Sequence, residues 1–128
     1  MRYYLNGLLL EISSNKIRTV ATDGHRLAFS EQNIDVDPAE LLQIILPRKG
    51  VLELVKLLEY SDELVAISIG SNHIRIEVDQ YRFTSKLLDG RYPDYQSVIP
   101  TDGDRSVSAN RSLIKDALTR TSILSNEK

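Results

Sequence analysis

The sequence predicts an α+β fold in which antiparallel strands predominate and two amphipathic helices accompany them. Three observations carry that prediction. Apolar residues recur with a period of two over most of the chain, as in Ile17, Thr19 and Ala21 or in Ile74, Ile76 and Val78, the pattern of half-buried strands. Two stretches change to the helical period: Val51, Leu54, Val55 and Leu58, then Leu113, Ile114, Ala117, Leu118 and Thr121. Turn signals such as Asp23-Gly24 stand between neighbouring strands, and a short turn joins strands antiparallel.

The first strand is expected within Arg2–Ile12, where Leu8, Leu9, Leu10 and Ile12 are apolar enough for a strand buried on at least one face. Polar Ser13–Lys16 turns into a second strand that ends at Thr22. Asp23-Gly24 then predicts a type I′ hairpin turn, because both central positions need positive φ, which Gly adopts freely and Asp tolerates. A third strand follows over Arg26–Ser30, completing a meander, and Glu31–Glu40, with Asp35, Asp37 and Pro38, reads as a solvated connection. Leu41–Leu46 forms the fourth strand.

Pro47-Arg48-Lys49-Gly50 opens the first helix, whose Val51, Leu54, Val55 and Leu58 are expected to be buried and whose Lys49, Glu53, Lys56 and Glu59 face water. Three more strands follow at Leu64–Ile69, His73–Val78 and Tyr81–Leu88, with Val65, Ile67, Ile69, Ile74, Ile76 and Val78 inward and His73, Arg75 and Glu77 outward. Asp89–Tyr95 is a turn-rich loop with aromatic side chains available for packing. A polar segment at Thr101–Asp104 precedes a short strand at Arg105–Ser108, and Asn110 is the expected N-cap of the last helix. Leu41–Glu59 and Arg105–Ile123 both read as strand, basic turn and amphipathic helix. This internal repeat implies a module of strand, helix and three strands.

At 128 residues, 41% hydrophobic and 27% charged, the chain has the balance of a soluble globular protein, with no apolar run long enough to span a bilayer. A cytoplasmic location is the resulting expectation. A net charge of −2 argues against holding nucleic acid by bulk attraction, so any such contact must be local. Two His and no Cys exclude a disulfide framework and leave carboxylates to supply most ligands of any zinc site. Asp23 and His25 could form a base with its orienting carboxylate, but no nucleophile or metal cluster converges on them. The expectation is therefore no catalytic residue, no metal and no cofactor.

Several motifs carry a family resemblance: Arg2–Gly7 (Arg-Tyr-Tyr-Leu-Asn-Gly), Thr19–Leu27 (Thr-Val-Ala-Thr-Asp-Gly-His-Arg-Leu), Pro47–Gly50 (Pro-Arg-Lys-Gly), Phe83–Tyr95 with its Asp-Gly-Arg-Tyr-Pro-Asp-Tyr ending, and Ile123–Lys128 (Ile-Leu-Ser-Asn-Glu-Lys). In this order they span the chain nearly end to end, and the chain resembles the middle region of the bacterial DNA polymerase III beta subunit family, the sliding clamps. The resemblance implies a DNA clamp (processivity) fold with sheets outside and two helices on one face. It also implies a head-to-tail ring dimer of three similar domains per chain around duplex DNA. Residues 1–100 would be the middle domain without its first strand and helix, and residues 101–128 the opening strand and helix of the third. That last piece is expected to take the vacant place, within the chain or by exchange between two copies, because Leu113, Ile114, Ala117 and Leu118 would otherwise face water.

By resemblance, the deeper part of a groove for clamp-binding peptides falls on Leu5, Thr22, Gly24, His25, Arg26, Leu27, Pro93 and Val98. Leu5, Leu27, Pro93 and Val98 would supply an apolar pocket, and Gly24 would remove a side chain beside the peptide. Ser97 stands where the family often carries Arg. DNA contacts fall on Arg2, Tyr3, Tyr4, Arg48 and Lys49, which suit phosphates and read no sequence. The implied partners are duplex DNA, the DNA polymerase III alpha subunit, the clamp loader and repair polymerases, with no membrane. The alternative is a stand-alone peptide-binding module without DNA retention.

Overall fold

A computed structural model describes residues 6–125. The chain divides into two units, residues 1–95 and residues 96–128. In the first unit the strands are β1 (Gly7–Ser13), β2 (Lys16–Thr22), β3 (Leu27–Asn33), β4 (Leu42–Pro47), β5 (Ala66–Ile69), β6 (His73–Val78) and β7 (Tyr81–Lys86), with helix α1 (Arg48–Leu58) between β4 and β5. They form a four-stranded sheet in the order β3-β2-β1-β4 and a three-stranded sheet in the order β5-β6-β7, with every pair antiparallel.

Alternation divides the first sheet into two faces with different cover. One face carries Leu10, Ile44 and Leu46, which pack with Ile74 and Ile76 of the second sheet, with Leu87 just after it and with Val51 and Leu54 of α1. Each such side chain contributes about 1.5–3 kcal/mol on burial, which is why these positions are apolar. The other face carries Leu9, Val20 and Ile45, also buried. Within this unit the segment Leu88–Tyr95 lies against it, bonded to the sheet at Leu88, Tyr92 and Tyr95. The chain changes sheets within one residue, because Leu87 N–H donates to Asn72 O and Leu88 N–H to Ile45 O, both at 2.9 Å. At Gly7 an added Cβ would stand 2.6 Å from Leu46 O and 2.7 Å from Ile45 Cγ2, so only glycine lets the start of β1 lie this close to β4.

The turns depart from expectation. The two-residue turn with positive φ at both positions joins β1 to β2 at Ser14 (52°) and Asn15 (58°), whereas β2 and β3 are joined by the four residues Asp23–Arg26, of which only Gly24 has positive φ. Strand β3 runs on to Asn33, beyond the expected Ser30, because Glu31 pairs across the sheet with Arg18 and Lys16. Val55 and Ile67 are exposed, at 59% and 38%. α1 meets the core through Val51 and Leu54, which leaves Val55 outside that narrow stripe, and Ile67 sits on edge strand β5, with cover from β6 on one side alone. Ile74, Ile76 and Val78 are buried with Arg75 outward, as the alternation requires.

The second unit holds a 3₁₀ turn at Gln96–Val98 and helix α2 (Arg111–Ser122). Asn110 is its N-cap, its Oδ1 accepting from Ser112 N at 3.0 Å and Leu113 N at 3.1 Å. The strand expected at Arg105–Ser108 is absent: these residues have no regular secondary structure, because a strand needs a partner and the described residues of this unit provide none. No other element of its own unit covers Leu113, Ile114 or Leu118.

Candidate functional site

The Asp23–Arg26 loop is tied by its own polar groups. Asp23 Oδ1 accepts from the main-chain N–H groups of His25 and Arg26, each at 3.0 Å, and Asp23 Oδ2 accepts from Arg26 Nε at 3.1 Å. Thr22 Oγ1 donates to Arg26 O at 2.8 Å and accepts from Gly24 N–H at 3.1 Å. An aspartate bonded to the main chain two and three residues on is a turn-forming device. The His25 and Arg26 N–H groups, with the Arg26 guanidinium, hold the Asp23 carboxyl below its ordinary range. Asp23 therefore orients the loop main chain and not the imidazole of His25, which is exposed. Gly24 has φ 92° and open space where a Cβ would stand, so the backbone conformation alone already selects glycine.

Thr22 and Leu27 face each other as the last cross-strand pair of β2 and β3. Beside them the hydroxyl of buried Tyr92 accepts the Thr22 N–H at 3.1 Å, which ties the Leu87–Tyr95 strap to this end of the sheet. Burial raises the Tyr92 pKa, so the phenol stays neutral. A cleft of about 430 Å³ opens at the same end, lined by Leu8, Ala21, Ala28 and Val51 together with Thr22, Arg26, Leu27 and Arg48. Three of the expected peptide contacts, Thr22, Arg26 and Leu27, thus share one cleft with Arg48, an expected DNA contact. Gly24, His25 and Pro93 are not among its lining residues. Lys49 is exposed next to Arg48 at the start of α1. Val98 belongs to the second unit, and Leu5, Arg2, Tyr3 and Tyr4 lie outside the described residues.

Sequence reasoning missed the polar row that crosses the same sheet four residues away, towards the Ser14–Asn15 turn. Gln43, Glu11, Arg18 and Glu31 are successive cross-strand neighbours over all four strands. Glu11 is only 3% exposed, yet it is fully engaged: it accepts from Arg18 Nη1 at 2.8 Å, Gln43 Nε2 at 2.7 Å and the Tyr95 hydroxyl at 3.1 Å. Glu31 accepts from Lys16 Nζ at 2.6 Å and Arg18 Nε at 2.7 Å, which lowers its pKa and, with Glu11, raises that of Arg18. The Tyr95 ring also tilts against Phe29, with centroids 6.0 Å apart. One signal was available. A glutamate inside the run Leu8-Leu9-Leu10-Glu11-Ile12 has to find cationic or donor partners if the strand is buried.

Residues 1–94 match the family model described as DNA polymerase III beta subunit, central domain. The chain is 48% identical over 128 residues to the beta sliding clamp of Pseudomonas putida, covering 100% of this chain and 35% of that protein. It is 49% identical over 129 residues to that of Escherichia coli K12, again with 35% of the relative covered. The DNA polymerase III subunit beta of Pseudomonas aeruginosa superposes with a TM-score of 0.90 at 48% identity, over 100% of this chain and 35% of that one. The Bacillus subtilis sliding clamp superposes at 0.87 and 32%, over 99% and 33%. The chain thus spans about a third of the length of the relatives it matches.

Proposed function

The chain belongs to the DNA polymerase III beta subunit family, and from that premise we propose that it is part of a DNA polymerase processivity factor. In the complete ring this part helps to encircle duplex DNA and to hold polymerases and other clamp-binding proteins by short peptides. Residues 1–100 belong to the middle domain and residues 101–128 open the third. The part is non-catalytic and works in the cytoplasm. Among the described residues no helix is long and apolar enough to cross a membrane.

The observation that carries this reading is a match of sequence and backbone over the whole chain. The geometry supports the peptide role: a turn fixed by Asp23, a Thr22–Leu27 pair at its base and a strap tied to Thr22 through Tyr92 make a preformed contact surface, as a peptide anchor requires. Peptide contacts are assigned to Leu5, Gly24, His25, Arg26, Pro93 and Val98 by family resemblance alone. Arg48 and Lys49, with Arg2, Tyr3 and Tyr4, meet phosphates; few cations on an acidic chain retain DNA loosely, which suits a ring that slides.

A chimera tests the proposal. The 128 residues replace the matching segment of the Pseudomonas putida clamp, and the length of DNA made per polymerase binding event is measured. Processive synthesis that falls when Leu27→Ala is added is the expected result. A chimera that assembles as a ring on DNA yet leaves synthesis distributive would refute it.

A further inference from the structure

The strap Leu87–Tyr95 carries Pro93 but has no regular secondary structure beyond Leu87. Its main chain is tied at Leu87 and Leu88, after which Asp89, Gly90 and Arg91 are exposed and Gly90 has φ 117°. The segment returns to the sheet at two buried aromatic side chains, Tyr92 (7% exposed) and Tyr95 (4%). They flank Pro93, one residue before it and two after. Each ring packs, but each hydroxyl also makes a directional bond that packing alone does not need: Thr22 N–H to Tyr92 OH at 3.1 Å, and Tyr95 OH to Glu11 at 3.1 Å. The first bond ends on Thr22 of the proposed peptide site. The second ends on a carboxylate fixed from two other strands by Arg18 and Gln43.

We propose that the Tyr92 and Tyr95 hydroxyls are positioning groups for the peptide site, locking the strap across the sheet so that its Tyr92 end is fixed against Thr22 before any peptide arrives. This rests on the reading that a clamp-binding peptide docks there. A preformed wall lowers the ordering cost of binding. It also satisfies the Thr22 N–H within the protein, so that a docking peptide need not pair it.

The test uses the full 128-residue chain, labelled with ¹⁵N and titrated with a clamp-binding peptide from the DNA polymerase III alpha subunit. Wild type is compared with Tyr92→Phe, Tyr95→Phe, the double variant and Ile76→Val, a core change in the second sheet. Loss of one neutral hydrogen bond, as in Tyr92→Phe, corresponds to about threefold to tenfold, and loss of one to a carboxylate, as in Tyr95→Phe, to about tenfold or more. Each Phe variant should weaken the peptide by a factor of that size, with faster amide exchange at Thr22 in Tyr92→Phe. Ile76→Val should lower the melting temperature as much and leave the dissociation constant unchanged. Double-variant affinity within about twofold of wild type, or equal weakening by Ile76→Val, overturns the proposal alone. A wild-type chain that binds no peptide overturns the underlying reading and the proposal with it.

Discussion

Glu11 shows how one residue can organise a face of a sheet. Its carboxylate is buried, and three donors from two other strands and the strap converge on it. Glu11→Ala strips the acceptor from Gln43 and Tyr95 while Arg18 keeps Glu31, so it should cost about 1–3 kcal/mol in urea denaturation; no measurable loss would show the network to be slack. Leu27 belongs to the proposed peptide site. Leu27→Ala should weaken a clamp-binding peptide about tenfold, since ~1.4 kcal/mol of lost contact is a factor of ten, and isothermal titration of the two chains checks it. The sequence announces Glu11 by its place in an apolar run, but not Tyr95, which lies 84 residues away and meets it only once the strap has crossed the sheet.

Among the elements, β3 is the exposed edge of the first sheet, and Glu31 fastens it to β2. The Glu31 pKa is lowered first by Lys16 and then by Arg18. A depressed carboxylate contributes stability that is present above its unfolded pKa and lost as pH falls through the folded one. Hydrogen-exchange protection of β3 should accordingly be flat near neutral pH and drop in the acid range below the ordinary glutamate pKa, less steeply at high salt because the pair is partly exposed. A Glu31→Gln chain keeping the same acid profile would contradict this. For α2, Asn110→Ala should cost about 1 kcal/mol of helix stability, seen as lost helical circular dichroism. Strands and helices were legible because side-chain period reports which face is buried. Turn geometry was not: Asp-Gly looked like the tight turn, yet the side chains of Thr22 and Asp23 stabilise a longer loop, and Ser14-Asn15 takes the left-handed conformation instead. The strand expected at Arg105–Ser108 failed because pairing is a property of partners, which a local pattern does not reveal.

For the whole molecule, the proposed site comes from motif more than from physics. Nothing in the spacing of Thr22, Leu27 and Pro93 says that a peptide binds there; the family resemblance proposes them, and the structure pairs Thr22 with Leu27 and ties the strap to Thr22 through Tyr92. The acidic chain carries few cations for DNA, so duplex affinity without a closed ring should be barely detectable and fall with salt at a slope of roughly two to four phosphate contacts. Arg48→Ala with Lys49→Ala should abolish it in fluorescence anisotropy, and salt-insensitive binding would contradict a phosphate role. The central claim, that the Asp23 turn and the strap form a peptide-docking surface, is tested most directly by mapping amide shifts of the wild-type chain on titration with a clamp-binding peptide. The account predicts shifts concentrated at Thr22, Arg26, Leu27 and the amides flanking Pro93; shifts concentrated on the second sheet, Ala66–Lys86, or none at millimolar peptide, would contradict it.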